Sequence, residues 1–475
     1  MVKGCSPCHS AFDRQFSIHH SPFTILMKRL SILLVFLASP VAGQDVSLPH
    51  TMFTLPNGLQ VIVHEDHSAP IAAVNVWYHV GSGYEQPGRT GFAHLFEHVM
   101  FEGSANVPRG EFDRLLEAAG GSNNGSTTPD RTNYYETIPS NAVELALWLE
   151  ADRMGRLLET MTQQKLDLQR EVVKNERRQR YENQPYGTFF EVVFDALYPD
   201  GHPYSWPTIG SMEDLSAASL EDVESFFRRY YIPNNAVLVV AGDVDTEEVR
   251  RHAERFFGEI PAGAPVEKPD IAVPEIPETQ YLTLEDRVTL PQLNIAWRAQ
   301  PFFAEDDDAL DALAQILGDG KNSRLFRRLI YDDQIAQDVV AFNNSQLLSG
   351  DFFIRVTGRE GLELGQLEEA TMEEIARIAE TPPTDEELER VINGIETTFV
   401  SSLERALGKA DQLNLYYYYT GDPDYSAEDL ARYRSLTPSD IQAAARTYLE
   451  GQNRIVISIV PEGETELAAE GAVTR

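Results

Sequence analysis

Parts of the first half of the chain are written again in the second. Ser219-Leu-Glu-Asp222, Tyr230, Asn235 and Val237 recur as Thr437-Pro-Ser-Asp440, Tyr448, Asn453 and Ile455 at an offset of 218, and Asn75-Val76 returns as Asn294-Ile295 at 219. A period this long is a whole domain, not a solenoid repeat. It restricts the fold to a tandem of two homologous units of about 200 residues each. Their strand and helix patterns make each unit α+β, a mostly antiparallel sheet covered by helices. The first unit reads as 48–259 and the second as 278–465. Between them lies a linker at 260–277, where five prolines interrupt any periodicity. Residues 466–475 are left as a tail.

In the first unit, Thr54-Leu55, a turn at Pro56-Asn57-Gly58 and the stretch 59–64 read as a β-hairpin, followed by a strand at 71–80. Gly81-Ser-Gly83 ends that strand, and a helix begins after Gly91. A second helix, 109–119, stops at Gly120-Gly121. Residues 122–128 and 132–138 carry few apolar side chains. Such strands suit a sheet edge, where an extended peptide can pair with free backbone, or an ordinary solvated hairpin. Helices are expected at 142–157 and 163–181, and loops at 183–187 and 202–204. A helix at 220–231, a strand at 235–243 and a helix at 246–257 complete the unit.

The helix after Gly91 carries His94-Leu-Phe-Glu97-His98. Two histidines four residues apart share one face of a helix, about 6 Å apart along its axis, so both imidazoles can reach one metal ion. Glu97 lies on the same side. Zinc takes imidazole nitrogen readily, and a catalytic site keeps a position for water whose proton a neighbouring carboxylate can accept. The order is the inverted H-x-x-E-H of a metallohydrolase. Two histidines on a helix can also be packing residues, so a third ligand decides the matter. Glu176 is expected to supply it, continuing a stripe with Leu168 and Val172 toward the interior, where a carboxylate needs a strong partner. That partner is a metal ion or one of Arg177, Arg178 and Arg180. In the second unit the corresponding stretch, 310–317, holds no histidine. Only the first unit is expected to bind metal, leaving the second as a wall or clamp.

A formal charge of −35 sets aside nucleic acid and anionic membranes as partners, since both are held by dense Lys and Arg. It favours cationic ligands, or simply keeps the protein soluble. Residues 30–38 form an apolar run after Met27-Lys28-Arg29 and before the small residues of Ser39-Pro-Val-Ala-Gly43. The run is too short to span a membrane and reads as a secretory signal at 27–43, with translation starting at Met1 or Met27. Residues 1–44 are therefore expected to be a removed leader, the mature chain to have no stable membrane span, and the protein to be periplasmic or secreted. Both cysteines, Cys5 and Cys8, lie in that leader. A redox role for the pair fails once the leader is cleaved, and the mature chain has no disulfide.

The motif His94-x-x-Glu97-His98 with Glu176, the segment from Gly120-Gly121 to Tyr134, His202-Pro-Tyr204 and the duplicated unit together resemble the insulinase or pitrilysin family of zinc peptidases. The size is similar to its shorter branch, which includes the mitochondrial processing peptidase. The resemblance covers about residues 48–465. It implies one zinc ion (Zn2+) per chain bound by His94, His98 and Glu176, a zinc-bound water activated by Glu97, and a substrate peptide held on the edge strand by Asn124, Gly125, Ser126 and Thr127. It also implies that the chain is half of a clamshell. A second copy would close it as a homodimer, or a metal-free homologous chain as a heterodimer. The arginine and tyrosine that some members place in the non-metal half have no evident counterpart after residue 275 and would come from that partner. The expected function is that of an exported zinc-dependent endopeptidase acting on oligopeptides or unfolded chains. The alternative is a non-catalytic peptide-binding or scaffold subunit of the same fold.

Overall fold

In the computed structural model, which describes residues 46–475 apart from Pro274, Glu470, Ala472 and Arg475, the repeat read from the sequence is a repeat of topology. The first half runs β1 (Thr51–Thr54), β2 (Gln60–Glu65), β3 (Ile71–Tyr78), α1 (Phe92–Val99), α2 (Glu111–Ala118), β4 (Ser122–Thr127) and β5 (Thr132–Pro139). It continues with α3 (Val143–Arg156), α4 (Gln163–Arg177), α5 (Phe189–Leu197), α6 (Met212–Ala217), α7 (Leu220–Tyr230), β6 (Ala236–Gly242) and α8 (Thr246–Phe257). The second half runs β7 (Gln280–Asp286), β8 (Gln292–Ala299), α9 (Asp307–Gly318), β9 (Ala336–Ser345), β10 (Gly350–Gly358) and α10 (Leu364–Glu380). After these come α11 (Asp385–Ser402), α12 (Ala406–Thr420), α13 (Ser426–Ser435), α14 (Pro438–Ala444), β11 (Ile455–Pro461) and β12 (Val473–Thr474).

The first sheet has the order β1-β2-β6-β3-β5-β4 and the second β12-β7-β11-β8-β10-β9. Strand for strand, β7, β11, β8, β10 and β9 take the places of β2, β6, β3, β5 and β4. The parallel pairs β2·β6 and β7·β11 also correspond. The repeated residues do the same work in both copies. Ser219 caps α7 and Thr437 caps α14, each in a reciprocal capping box with the aspartate three residues on. The sheets differ at one edge, where β1 joins β2 as an antiparallel hairpin and β12 joins β7 in parallel. The expected signal sequence and its two cysteines lie outside the described residues. Among the described residues no helix is long and apolar enough to cross a membrane.

The central strands show how the halves are joined. β6 is Ala-Val-Leu-Val-Val-Ala-Gly, and all seven residues are buried. A strand with no polar face needs cover on both sides. Leu238 and Val240 face the first half's own helices, in a core with Phe96, Leu147 and Phe257. Val237, Val239 and Ala241 instead pack with Ala410 and Leu413 of α12, which comes from the second half. The second sheet is covered in return by α5: Ile455, Ile457 and Ile459 of β11 share a core with Phe189, Val193 and Leu197. With each buried large aliphatic side chain contributing about 1.5–3 kcal/mol, this exchange of helices ties the halves firmly. Asn75 adds a polar tie, its Nδ2 donating to Asp411 of α12 at 2.6 Å.

Three expectations change. On α4 the buried residues are Leu166, Gln169, Val173 and Arg177, whereas Leu168 and Val172 are 38% and 40% exposed. The stripe leading to Glu176 is therefore not the inward one, and Arg177 takes the interior position by donating to the Gly210 carbonyl at 3.0 Å and to Glu191. Of the two polar strands only β4 is at the edge, since β5 lies between β3 and β4. Between the expected loops at 183–187 and 202–204, Phe189, Val193 and Leu197 at helical spacing form the buried face of α5. The residues after 465 are part of the fold, with Leu467 and Ala469 in the second core and Val473–Thr474 as β12.

Candidate metal centre and peptide edge

α1 starts where glycine is required. Gly91 has φ +85°, and a Cβ there would lie 2.5 Å from the Ile209 carbonyl oxygen. Glu85 takes the bare N–H groups at the start of the helix, accepting from Gly91 N at 2.9 Å and Ala93 N at 2.7 Å. Burial pushes this carboxyl up to about 8 against the pull of those bonds. Leu95, Phe96 and Val99 enter the core. That orientation leaves His94, Glu97 and His98 on the less buried face.

α4 packs beside α1 and brings Glu176 to both imidazoles. Its Oε2 lies 3.1 Å from His98 Nε2 and 3.7 Å from His94 Nε2. Among the described residues these three form the only group of His, Cys, Asp or Glu placed to share an ion, with one donor atom from each, all within 4.8 Å of one another. A tetrahedral zinc shell with bonds of about 2.1 Å needs donors about 3.4 Å apart; the two separations of Glu176 from the imidazoles lie on either side of that value, and the donor types are those zinc takes. The side chains of His94, His98 and Glu176 are 13%, 23% and 17% exposed, so the group is sheltered without being sealed. Burial, and then the neighbouring His98, hold His94 down at about 4, which leaves its imidazole neutral with a lone pair to give. The hydrogen bond to His98 is the first cause holding Glu176 below the usual carboxylate range. Its other oxygen, Oε1, is 2.9 Å from Arg180 Nη1. Both partners that the sequence left open are thus engaged, an arginine on one oxygen and the imidazoles on the other.

Glu97 faces β4. Its Oε2 accepts from Thr127 Oγ1 at 2.6 Å. Burial raises its pKa, and the Thr127 bond opposes the rise. β4 is paired with β5 alone and is open on its other side. A Cβ on Gly125 would lie 3.1 Å from Glu97 Cγ and 3.2 Å from the Asn133 carbonyl oxygen, so only bare backbone fits between helix and strand without a shift. The Gly125 N–H donates to Asn124 Oδ1 at 2.9 Å, which places an amide oxygen where a paired peptide's carbonyl would sit. Ser126 is turned inward, its hydroxyl donating to Asn133 Oδ1 at 2.7 Å. Arg131 Nη1 donates to the Ser126 carbonyl at 2.9 Å and to its hydroxyl oxygen at 2.7 Å. All four expected peptide-strand residues therefore lie on the open edge, and two of them, Gly125 and Thr127, touch Glu97.

The turn after β4 at Pro129-Asp130 is held by contacts that its own sequence does not announce. Asp130 is buried, and its carboxylate accepts from Tyr204 OH at 2.5 Å, Tyr419 OH at 2.8 Å and Leu347 N at 2.9 Å. Its carbonyl accepts from Tyr418 OH at 2.9 Å. The second half thereby clamps the strand that holds Glu97. The unusual run Tyr416-Tyr-Tyr-Tyr419, beside His202-Pro-Tyr204, is the signal in the sequence that could have pointed there.

A cavity of about 770 Å3 lies away from the His94 group. It lies in the second half beside α9, the counterpart of α1, with Phe303, Phe342, Asp311 and Tyr433 among its walls. Asp311 is pushed up to about 7, first by burial and then by Asp307. A carboxyl whose folded-state pKa lies above its unfolded value near 3.8 binds its proton more tightly when folded. Stability is therefore lost as pH rises from about 4 to 7. Asp311→Asn should match the wild-type Tm near pH 4 and exceed it by about 2–5 °C at pH 7.5. Thermal melts of the two chains across that range check this.

Residues 60–203 match the family model described as Insulinase (Peptidase family M16), and residues 217–395 match the one described as Peptidase M16 inactive domain. Together the matches take in more than half of the chain. The chain belongs to the insulinase (M16) family. Zinc protease PqqE of Helicobacter pylori is 29% identical over 441 residues, 91% of this M16 chain and 97% of that protein. The probable mitochondrial-processing peptidase subunit beta of Arabidopsis thaliana is 25% identical over 465 residues, 94% of this chain and 83% of its own. The crystal structure of a protease from Helicobacter pylori superposes with a TM-score of 0.83 at 27% identity, covering 88% of this chain and 100% of that one. A peptidase M16 inactive domain from Pseudomonas fluorescens shares the fold, with a TM-score of 0.79 at 20% identity over 87% and 98% of the two chains. In this M16 chain His94, Glu97, His98, Glu176 and β4 all fall within the insulinase match, and α9 falls within the inactive-domain match.

Proposed function

We propose that this M16 chain is an exported zinc-dependent endopeptidase that hydrolyses peptide bonds in oligopeptides or unfolded chains. The observation that carries the reading is the meeting of His94, His98 and Glu176 beside a carboxylate, Glu97, that faces an open sheet edge. The relatives named zinc proteases support it. His94, His98 and Glu176 hold one zinc ion per chain. Zinc bound there supplies Lewis acidity, which polarises the scissile carbonyl and brings the pKa of water down toward about 7. Glu97, desolvated and oriented by Thr127, takes the proton of the attacking water and passes it to the leaving amine. An extended peptide pairs with the open side of β4 at Gly125, displacing the Asn124 amide, while Arg131 and Ser126 keep the strand straight.

One chain leaves β4 partly exposed. A second copy, or a metal-free homologous chain, closes over it and restricts entry to short or unfolded peptides. The relative named as a processing-peptidase subunit supports an assembly of two chains. The purified protein should contain about one zinc per chain and cleave an unstructured peptide but not its folded parent. A chelator should stop the cleavage and added zinc restore it. Native mass measurement, with and without candidate homologous chains, identifies the partner. A chain that holds no zinc and cleaves nothing with any partner is a peptide-binding subunit instead. Export rests on the apolar run at 30–38. A mature N-terminus near residue 45 supports it, and a retained Met1 or Met27 removes it.

A further inference from the structure

The clamped turn after β4 walls a second cavity, between the two halves. It is partly open, holds about 370 Å3, and is lined by Trp77, Arg131, Phe194, Phe302, Gln346 and Tyr419, among others. Four of these are aromatic, from both halves of the chain. The guanidinium of Arg131 sits 4.9 Å from the centre of the Trp77 ring. Gln346 is 7% exposed, and its side-chain oxygen Oε1 is buried without a partner. Buried acceptors are nearly always satisfied, so a bare one on a cavity wall is a place for a ligand's donor.

We infer that this cavity is a subsite for one large aromatic side chain of the bound peptide, a tryptophan or tyrosine whose N–H or O–H donates to Gln346 Oε1. The inference rests on the peptidase reading for where the peptide lies. Thr127, which touches Glu97, and Thr128, which lines the cavity, are consecutive. A strand advances about 3.3 Å per residue with alternate side chains on one face, so a peptide paired with β4 brings a side chain within two or three residues of the scissile bond to the cavity mouth. The volume holds an indole or phenol, and rings stack well against the aromatic walls and the Arg131 cation. An aspartate or lysine side chain would give up its hydration for four rings. Gln346, Phe302 and Tyr419 come from the half that lacks the metal residues, which gives that half a share in substrate choice.

The test uses peptides of one sequence carrying Trp, Tyr, Phe, Leu or Asp at each position in turn. Each is bound to the zinc-loaded Glu97→Gln protein, followed by fluorescence anisotropy, and each is offered to the wild type for cleavage. One position within three of the scissile bond should favour Trp and Tyr about tenfold over Leu, and Tyr over Phe by about tenfold, as a site with an unpaired acceptor discriminates. Gln346→Leu, close in size, should bring the Tyr-to-Phe ratio to about one with the melting temperature retained. Phe302→Ala should weaken Trp, Tyr and Phe together. Equal affinities of Tyr and Phe in the Glu97→Gln protein, or a Tyr preference that survives Gln346→Leu, overturn the subsite. Aromatic preference in binding without cleavage by the wild type keeps the subsite and overturns the peptidase reading, and cleavage without preference does the reverse.

Discussion

Glu97→Gln should keep its zinc and lose peptide cleavage by about 10²–10⁴-fold, the span that a positioned general base supplies. Glutamine has the same shape, so the Thr127 hydroxyl that donates to Glu97 at 2.6 Å still finds an oxygen. An amide cannot take up a proton near neutral pH, and that is the property the substitution removes. None of the three metal donors, His94, His98 and Glu176, is changed. His94→Ala is the complementary case. It deletes one donor of three and should lose both the metal and the activity. Metal analysis beside a cleavage assay separates the two roles, and retained cleavage in Glu97→Gln would refute the assignment of the base.

Replacing Arg153 by methionine should cost about 3–5 kcal/mol of stability, the range for breaking a buried ion pair from one side. The Arg153 side chain is enclosed under the first sheet with its guanidinium 4.3 Å from the centre of the Tyr134 ring. Nη2 pairs with Glu150 and reaches Glu136 at 3.4 Å. Both carboxylates are completely buried. Glu136 is already driven well above the usual carboxylate range, by burial first and then by Glu150. Without the arginine, both acids face one another in an apolar core with no cation. The variant's deficit should therefore narrow as pH falls and Glu136 takes up its proton. Changing Glu150 and Glu136 to glutamine in the same chain should recover part of the loss. Urea melts at pH 7.5 and pH 5 measure all of this, and an Arg153→Met midpoint equal to wild type would show that the cation carries no such burden.

What the sequence disclosed depended on how far apart the cooperating residues lie. His94, Glu97 and His98 sit within five residues, and helix geometry alone puts them on one face. The polarity of β4 marked the open edge, and the repeated capping boxes marked the duplication. Glu176 was reached by an argument only half right. It is near the imidazoles, but the stripe used to place it runs through the exposed Leu168 and Val172. The inward face of α4 is set by Leu166, Val173 and Arg177, which turns Glu176 to the flank beside α1. Helical periodicity alone does not say which flank of a helix meets which neighbour. Asp130 was invisible for a related reason, since one acid in a turn says nothing of tyrosines 74 and 289 positions away. The uninterrupted apolar run of β6 says that both its faces are covered, without saying that a helix from the other half does it.

Because α5 lies on the far sheet and α12 on the near one, neither half can withdraw without stripping its own sheet of half its cover. Cutting the backbone in the proline-rich stretch 260–277 should leave the two fragments travelling together through gel filtration. The distance from the imidazoles to the opposite half is therefore a fixed dimension of the chain, and in the proposed two-chain assembly the gate for an incoming peptide opens between the chains, not between the halves.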